Sequence, residues 1–173
     1  MCGIGGVINL NNRSPSLKLS DINIMRKLLR ERGPDSDKHW ISKKKDVAIT
    51  VQRLATQDKR ILANQPCYSS DRNIIIIMNG EIYNHIELKR KLVKKKYKFY
   101  SNNDAEVVAN AYHCWGQDFL KMLEGQFSIF VLNKKNKSGL IARDEHGICP
   151  LYYFINKKKI IFSSSSYSIF KQT

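Results

Sequence analysis

The stretch Met1-Cys2-Gly3-Ile4-Gly5-Gly6 opens the chain and places a cysteine directly after the initiator methionine. Removal of Met1 gives Cys2 a free α-amino group, so that one residue then carries both a thiol nucleophile and a base. The ordinary pKa values are about 7.7–8.0 for such an amine and about 8.5 for the thiol. Because both values lie near neutral pH, where a catalytic proton donor or acceptor works best, we predict that Cys2 is a catalytic nucleophile.

The composition is typical of a globular domain with one hydrophobic core. The 173 residues are 42% hydrophobic and 26% charged. No apolar run reaches the roughly 18 residues of a membrane-spanning helix, and no basic segment followed by an apolar one marks a secretory signal. We therefore expect a cytoplasmic protein without a membrane partner, in which Cys67, Cys114 and Cys149 are reduced and serve as small core residues.

The net charge of +15 raises the question of nucleic-acid binding. The lysines form short, scattered runs at predicted turns and helix ends, without the interleaved aromatic residues that stack on bases. Lys, Asn and Ile also share A/T-rich codons, so genome composition accounts for the bias equally well. The pattern argues against a nucleic-acid partner, although a basic nucleic-acid-binding module stays a rival hypothesis. The runs are residues 43–45, 94–96, 134–135 and 157–159.

The order of apolar and polar residues predicts an α+β domain, with many short strands and a few helices. Strands are predicted over residues 4–9, 47–54, 73–78, 127–133, 139–143, 151–155 and 159–163. Three helices are predicted. The first is capped by Ser20-Asp21 and carries Ile22, Met25, Leu28 and Leu29, and the second begins near Asn84 and carries Ile86, Leu88 and Leu92. The third spans residues 104–115, with Asn103 or Asp104 as its cap.

Six further segments follow Cys-Gly-Ile-Gly-Gly in the order of the landmarks of a known family. With them the chain resembles the class II glutamine amidotransferases, and above all the N-terminal domain of glutamine-hydrolysing asparagine synthetases. The resemblance implies a single glutaminase domain over residues 2–165. The segments are Arg32-Gly33-Pro34-Asp35, Gln52-Arg53-Leu54-Ala55, Asn79-Gly80-Glu81-Ile82-Tyr83-Asn84, Asn103-Asp104-Ala105-Glu106-Val107, Leu123-Glu124-Gly125-Gln126-Phe127 and the run of residues 142–153.

This resemblance implies both a fold and a reaction. The fold is the N-terminal-nucleophile hydrolase fold, a four-layer αββα sandwich of two antiparallel sheets flanked by helices. The reaction is hydrolysis of L-glutamine to glutamate and ammonia through a Cys2 thioester, with the ammonia used in an asparagine-synthetase-type amide transfer. The chain lacks a Ser-Gly-Gly-x-Asp-Ser pyrophosphate loop. We therefore expect no cofactor or metal in this domain, and ATP and Mg only with a synthetase partner or a missing C-terminal domain.

The resemblance also implies a role for each residue around Cys2. The Asn79 side-chain amide and the Gly80 backbone N–H would stabilise the oxyanion, a contribution that typically amounts to about 2.7–4 kcal/mol per donor. Arg53 would pair with the α-carboxylate of glutamine, within a substrate-binding segment that includes Leu54. Asp104 would bind the α-ammonium group.

Glu81 would assist Asp104 in binding the ammonium group. The segment Arg32-Gly33-Pro34-Asp35 would form the glutamine loop that covers the substrate.

Other interpretations of single motifs stay open at this point. Asn79-Gly80 after an apolar strand is typical of a hairpin turn, and Asp104 is typical of a helix cap. Arg143 and Asp144 have the pattern of an ion pair with a structural role. For the whole chain, the alternative is a catalytically silent glutamine-binding, regulatory or interaction domain. We assign no catalytic role to the four isolated histidines: His39, His85, His113 and His146.

Overall fold

A computed structural model describes residues 1–11, 14–56 and 60–172 of the chain, except for the side chain of residue 62. The chain divides into two compact units. The first unit comprises Met1–Leu54 and Pro150–Thr173, and the second comprises Ala55–Cys149.

Strands and helices follow one another in a mixed order along the described chain. They are β1 (Gly3–Asn9), α1 (Ser20–Leu29), β2 (Ser36–Ile41), β3 (Val47–Arg53), β4 (Cys67–Tyr68), β5 (Ile74–Ile82), α2 (His85–Lys94), α3 (Asp104–Trp115), β6 (Gly125–Asn133), β7 (Ser138–Arg143), β8 (Tyr152–Ile155), β9 (Lys159–Ser163) and α4 (Ser166–Phe170). Short 3-10 helices span Arg30–Arg32, Ile61–Ala63 and Gly116–Met122.

The first unit is built on a five-stranded antiparallel sheet in the order β2-β3-β1-β9-β8. Helix α1 packs on this sheet because its apolar residues recur at helical spacing and cover one face. Strand β1 lies at the centre, with Gly3 opposite Gln52 of β3, so the start of the chain lies beside the end of β3. The core of the unit contains Val7, Leu17, Ile22, Met25, Leu29, Ala48, Ile161 and Ile169.

The second unit is built on a four-stranded antiparallel sheet in the order β4-β5-β6-β7. Residues Ile74, Ile76 and Met78 of β5 join α2 and α3 in one apolar cluster. Because side chains alternate between the two faces of a strand, Asn79 lies on the face of the sheet opposite these helices.

The structure confirms the predicted α+β class, with two antiparallel sheets flanked by helices. All seven predicted strands form, and the helix predicted over residues 104–115 is α3. Asn103 is its cap, because the side chain accepts the backbone N–H of Ala105 at 2.9 Å. No helix among the described residues is both long enough and apolar enough to cross a membrane.

The structure contradicts one alternative and one predicted cap, and it exposes two apolar residues of the predicted helices. Asn79-Gly80 is not a hairpin turn, because β5 continues to Ile82 and both residues pair with β6. No side chain caps α1; the carboxylate of Asp21 accepts the N–H of Lys18 at 2.6 Å instead. Ile86 is 56% exposed, so α2 is buried only along the side that carries Leu88 and Leu92. Leu28 of α1 is also exposed.

Candidate active site

Cys2 lies just before β1 and is partly buried. Its Sγ accepts the backbone N–H of Leu54 at 3.4 Å and lies 3.8 Å from the carbonyl oxygen of the same residue. The antiparallel pairing of β1 with β3 brings the two residues together although they are 52 positions apart. An N–H donor at the sulfur favours the negatively charged thiolate, the form in which a cysteine acts as a nucleophile.

Residues 32–35 pass next to Cys2 and the end of β3. Arg32 Nε donates to the carbonyl oxygen of Cys2 at 3.3 Å, and the backbone N–H of Asp35 donates to the carbonyl oxygen of Arg53 at 3.0 Å. A side chain at position 33 would place its Cβ only 2.2 Å from the carbonyl oxygen of Gln52, so only glycine fits there. The predicted glutamine loop is therefore held against β3 through its backbone.

Two arginine side chains of the first unit are wholly or partly buried. Arg53 is only 5% exposed at the end of β3, and a buried arginine is normally held by polar interactions. Arg32 Nη2 is buried and has no hydrogen-bond partner among the residues that the structure describes. The first unit thus places a thiol, the buried Arg53 and the partly buried Arg32 around one end of its sheet.

Asn79 is fully buried in β5 of the second unit. Neither Nδ2 nor Oδ1 of its amide has a hydrogen-bond partner within the described ranges. An unsatisfied buried polar group costs about 1–3 kcal/mol, so native folds rarely leave one without a reason. Both ends of this amide are free to bind a polar ligand.

Gly80, the next residue, has a φ of +129°. A Cβ at this position would lie 2.0 Å from the carbonyl oxygen of Gln126. The backbone conformation and the neighbouring strand both demand glycine. A left-handed residue inside a strand turns the backbone locally, a form of strain that recurs at functional sites.

Asp104 begins α3 and is 6% exposed. Its Oδ2 accepts the N–H of Ile82 and its Oδ1 accepts the N–H of Ala105, each at 2.9 Å. Burial raises the pKa of this carboxyl above its ordinary value, although the two N–H donors and the nearby His85 oppose that effect. The carboxylate retains lone pairs with which it can bind a cation.

The predicted site residues thus fall into two sets. The first unit holds Cys2, Arg53, Leu54 and the loop 32–35; the second holds Asn79, Gly80, Asp104 and the exposed Glu81.

The sequence did not single out Ser128, a fully buried residue whose Oγ also lacks a hydrogen-bond partner among the described residues. Its signal is a hydroxyl within the apolar run Phe127-Ser128-Ile129-Phe130, at a position that the strand buries. Within the described ranges, no group of three or more His, Cys, Asp or Glu side chains is arranged to hold a metal ion.

The class of this protein follows from comparison of the whole chain with known families. Residues 1–173 match the family model of the glutamine amidotransferase domain, and the chain belongs to this family. The class predicted from the seven motifs is therefore confirmed.

The curated relatives that match the chain include asparagine synthetases. The chain is 42% identical over 153 residues to the glutamine-hydrolysing asparagine synthetase of Zea mays and 41% identical over 154 residues to asparagine synthetase 2 of Oryza sativa subsp. japonica. Each match covers 88% of this chain and 25% of the relative. The chain thus spans about a quarter of the length of these relatives.

A solved structure shows the same fold. The glutamine phosphoribosylpyrophosphate amidotransferase of B. subtilis, complexed with ADP and GMP, superposes with a TM-score of 0.76. The match covers 99% of this chain and 43% of that chain, at 18% sequence identity. The N-terminal-nucleophile type of fold predicted from the sequence is therefore confirmed.

Proposed function

We propose that residues 2–165 form a glutaminase domain that hydrolyses L-glutamine to glutamate and ammonia, with Cys2 as the nucleophile once Met1 is removed. The observation that carries this proposal is the fully buried amide of Asn79, neither end of which is hydrogen-bonded among the described residues. No hydrogen bond within the described residues uses this amide, whereas the oxyanion formed during amide hydrolysis needs a preorganised donor.

The reaction begins with attack of the Cys2 thiolate on the side-chain amide carbon of glutamine. The α-amine of Cys2 takes the thiol proton, directly or through water, and a C–S bond forms as the carbonyl oxygen becomes an oxyanion. Asn79 Nδ2 and the Gly80 N–H donate to that oxyanion. The amine then returns the proton to the leaving nitrogen, and ammonia departs as the C–N bond breaks. Water hydrolyses the thioester, so one glutamine and one water give one glutamate and one ammonia.

Recognition of glutamine requires two opposite charges, because the free amino acid is a zwitterion. We assign the α-carboxylate to Arg53, whose planar guanidinium forms paired hydrogen bonds with a carboxylate. We assign the α-ammonium to Asp104, assisted by Glu81. Leu54 and the loop 32–35 complete the substrate-binding segment.

The fate of the ammonia is suggested by the relatives, which are named glutamine-hydrolysing asparagine synthetases. We propose that the ammonia is passed to an amide transfer of that type, on a synthetase domain or partner. ATP and Mg belong to that second reaction. Glutamine hydrolysis itself uses the residues described above and water.

The experiment that tests this proposal is a glutamate-release assay on the Met1-processed protein and its Cys2→Ala variant. We expect Cys2→Ala to abolish glutamate release while the circular dichroism spectrum and thermal midpoint stay unchanged. Cys114→Ala, which removes a partly buried thiol outside the proposed site, is the matched control and should keep full activity. Turnover retained in Cys2→Ala would overturn the mechanism. Glutamine binding without turnover in the processed parent protein would favour the catalytically silent alternative.

A further inference from the structure

Ser128 lies in the middle of β6, directly opposite Asn79 of β5 in the strand register. Its neighbours Phe127 and Ile129 belong to the apolar cluster that contains α2 and α3. Because side chains alternate along a strand, Ser128 lies on the face of the sheet opposite those helices, and so does Asn79. Directly opposed residues on one face have their Cβ atoms about 4.5–5.5 Å apart, within reach of a hydrogen bond between a hydroxyl and an amide.

These two residues concentrate three unsatisfied polar atoms in one cross-strand pair. Both side chains are fully buried, and Ser128 Oγ, Asn79 Nδ2 and Asn79 Oδ1 all lack hydrogen-bond partners among the described residues. Every other buried side-chain hydroxyl of the described residues has a hydrogen-bond partner; Ser168 Oγ, for example, donates to Ser163 Oγ at 2.6 Å. Because buried polar groups without hydrogen bonds destabilise a fold, such a pair is unfavourable unless a bound molecule changes the arrangement.

The two ends of the Asn79 amide have nearly the same shape but opposite hydrogen-bonding character. Only Nδ2 stabilises an oxyanion, whereas Oδ1 in the same place repels it. An asparagine that serves an oxyanion therefore benefits from a neighbour that bonds to Oδ1 and leaves Nδ2 for the oxyanion. The Ser128 hydroxyl can donate to Oδ1 or accept from Nδ2, and the negative charge of the oxyanion selects the first arrangement, because only that one turns Nδ2 toward it.

We propose that Ser128 is a positioning residue for the oxyanion donor. With glutamine bound, the Ser128 hydroxyl donates to Oδ1 of Asn79 and thereby directs Nδ2 toward the oxyanion. This inference rests on the glutaminase function proposed above, since it assigns a role to Ser128 within the same reaction. It needs only rotation of the Ser128 hydroxyl group and of the Asn79 amide, with no movement of the two paired strands.

The test is steady-state kinetics of Ser128→Ala and Ser128→Thr with glutamine. Loss of one orienting hydrogen bond should lower kcat by about tenfold in Ser128→Ala, with KM unchanged because the zwitterion contacts remain. Ser128→Thr keeps the hydroxyl and should restore most of kcat.

Thermal unfolding separates this role from a structural one. Ser128→Ala should keep or raise the midpoint, whereas the matched buried-serine control Ser168→Ala should lower the midpoint and keep kcat.

A double-mutant cycle with Asn79→Ala completes the test. If Ser128 acts through Asn79, adding Ser128→Ala to Asn79→Ala should leave kcat unchanged. A normal kcat in Ser128→Ala, or a tenfold loss that persists without Asn79, would overturn the inference. An Asn79→Ala variant with normal kcat would instead contradict the proposed oxyanion role itself, so the two failures are distinguishable.

Discussion

Asp104 combines burial with a charge that the proposed reaction requires. A carboxylate that is 6% exposed resists ionisation, and the N–H groups of Ile82 and Ala105 offset this only in part, so its pKa stays raised. A bound ammonium group would favour the ionised form. The same carboxylate is therefore both an anchor between α3 and β5 and the proposed partner of the substrate ammonium.

The raised pKa of Asp104 predicts how glutamine binding depends on pH. The carboxylate binds the ammonium group, so affinity is present above that pKa and is lost as the pH falls through it. KM should therefore rise toward acid pH with a midpoint above the ordinary value of 3.8. Asp104→Asn should have a high KM without this acid limb. Kinetics from pH 8 downward check this, with the surface variant Asp118→Asn as control. An acid limb that is identical in Asp104→Asn would contradict the assignment.

Single residues also show where sequence reasoning reached its limit. The resemblance singled out Asn79 and Gly80; in the structure the Asn79 amide is buried without a partner among the described residues, and Gly80 has a φ of +129°. Ser128 was missed because one serine in an apolar strand is common. The positioning role proposed for Ser128 rests on the register that sets it opposite Asn79 and on the lack of a hydrogen-bond partner for its Oγ among the described residues. Neither property can be obtained from residue order alone.

At the scale of elements, the turn after β7 shows how a carboxylate organises a backbone. Asp144 accepts the N–H groups of Phe127 at 3.2 Å, Ile148 at 3.0 Å and Cys149 at 3.2 Å. Burial raises the pKa of Asp144, but these backbone donors outweigh it and the pKa is lowered overall. The expected structural role is thus confirmed. The ion pair with Arg143 is not found among the described residues, and the Arg143 guanidinium lies beside Gly147.

Replacing Asp144 should destabilise the second unit. Asp144→Ala leaves three N–H groups without an acceptor, so we expect the unfolding free energy to fall by about 3 kcal/mol. Because the folded pKa is lowered, this contribution is present above the unfolded pKa of about 3.8 and is lost as the pH falls through the folded value. Urea denaturation at neutral and acid pH measures both effects. The exposed neighbour Glu145→Ala is the control, and an equal, small change in both variants would contradict the account.

The elements that the sequence missed share a physical cause. Strand β2 carries Asp37, Lys38 and His39, which are exposed, so its residues lack the apolar alternation that identifies a strand. The polar residues Asn79 and Glu81 likewise gave no sign that β5 continues beyond Met78. Helix α4 begins in a run of serines, where Ser165 caps it by accepting the N–H of Ser168 at 3.4 Å. Pairing with a neighbouring strand or a local cap therefore contributes to these segments in ways that an apolar pattern does not reveal.

At the scale of the whole molecule, the charge of +15 is distributed over separate turns and helix ends. The lysine runs lie between β2 and β3, after α2, between β6 and β7, and between β8 and β9. Such positions are typical of solvated lysines. They support the prediction that nucleic acid is not the partner, which a shallow salt dependence of any residual DNA or RNA binding would bear out.

If ATP and Mg serve only the proposed amide transfer, glutamine hydrolysis by this chain needs neither ATP nor a metal ion. Glutamate release should be the same with EDTA as with Mg and ATP, because thiolate attack and oxyanion stabilisation use protein groups alone. A coupled glutamate assay on the processed protein checks this. Loss of activity in EDTA that is restored by Mg would place a metal requirement in this domain and contradict the proposal.

The central claim is that Cys2, with its own free amine, attacks the amide of glutamine. Intact-mass spectrometry of the protein before and after an electrophilic glutamine analogue tests it most directly, because one spectrum reports both Met1 removal and thiol modification. We predict a single adduct on the Met1-processed protein, mapped to Cys2 by peptide sequencing, blocked by excess glutamine and absent from Cys2→Ala. An adduct on Cys67, Cys114 or Cys149 that glutamine does not block, with Cys2 unmodified, would contradict the claim.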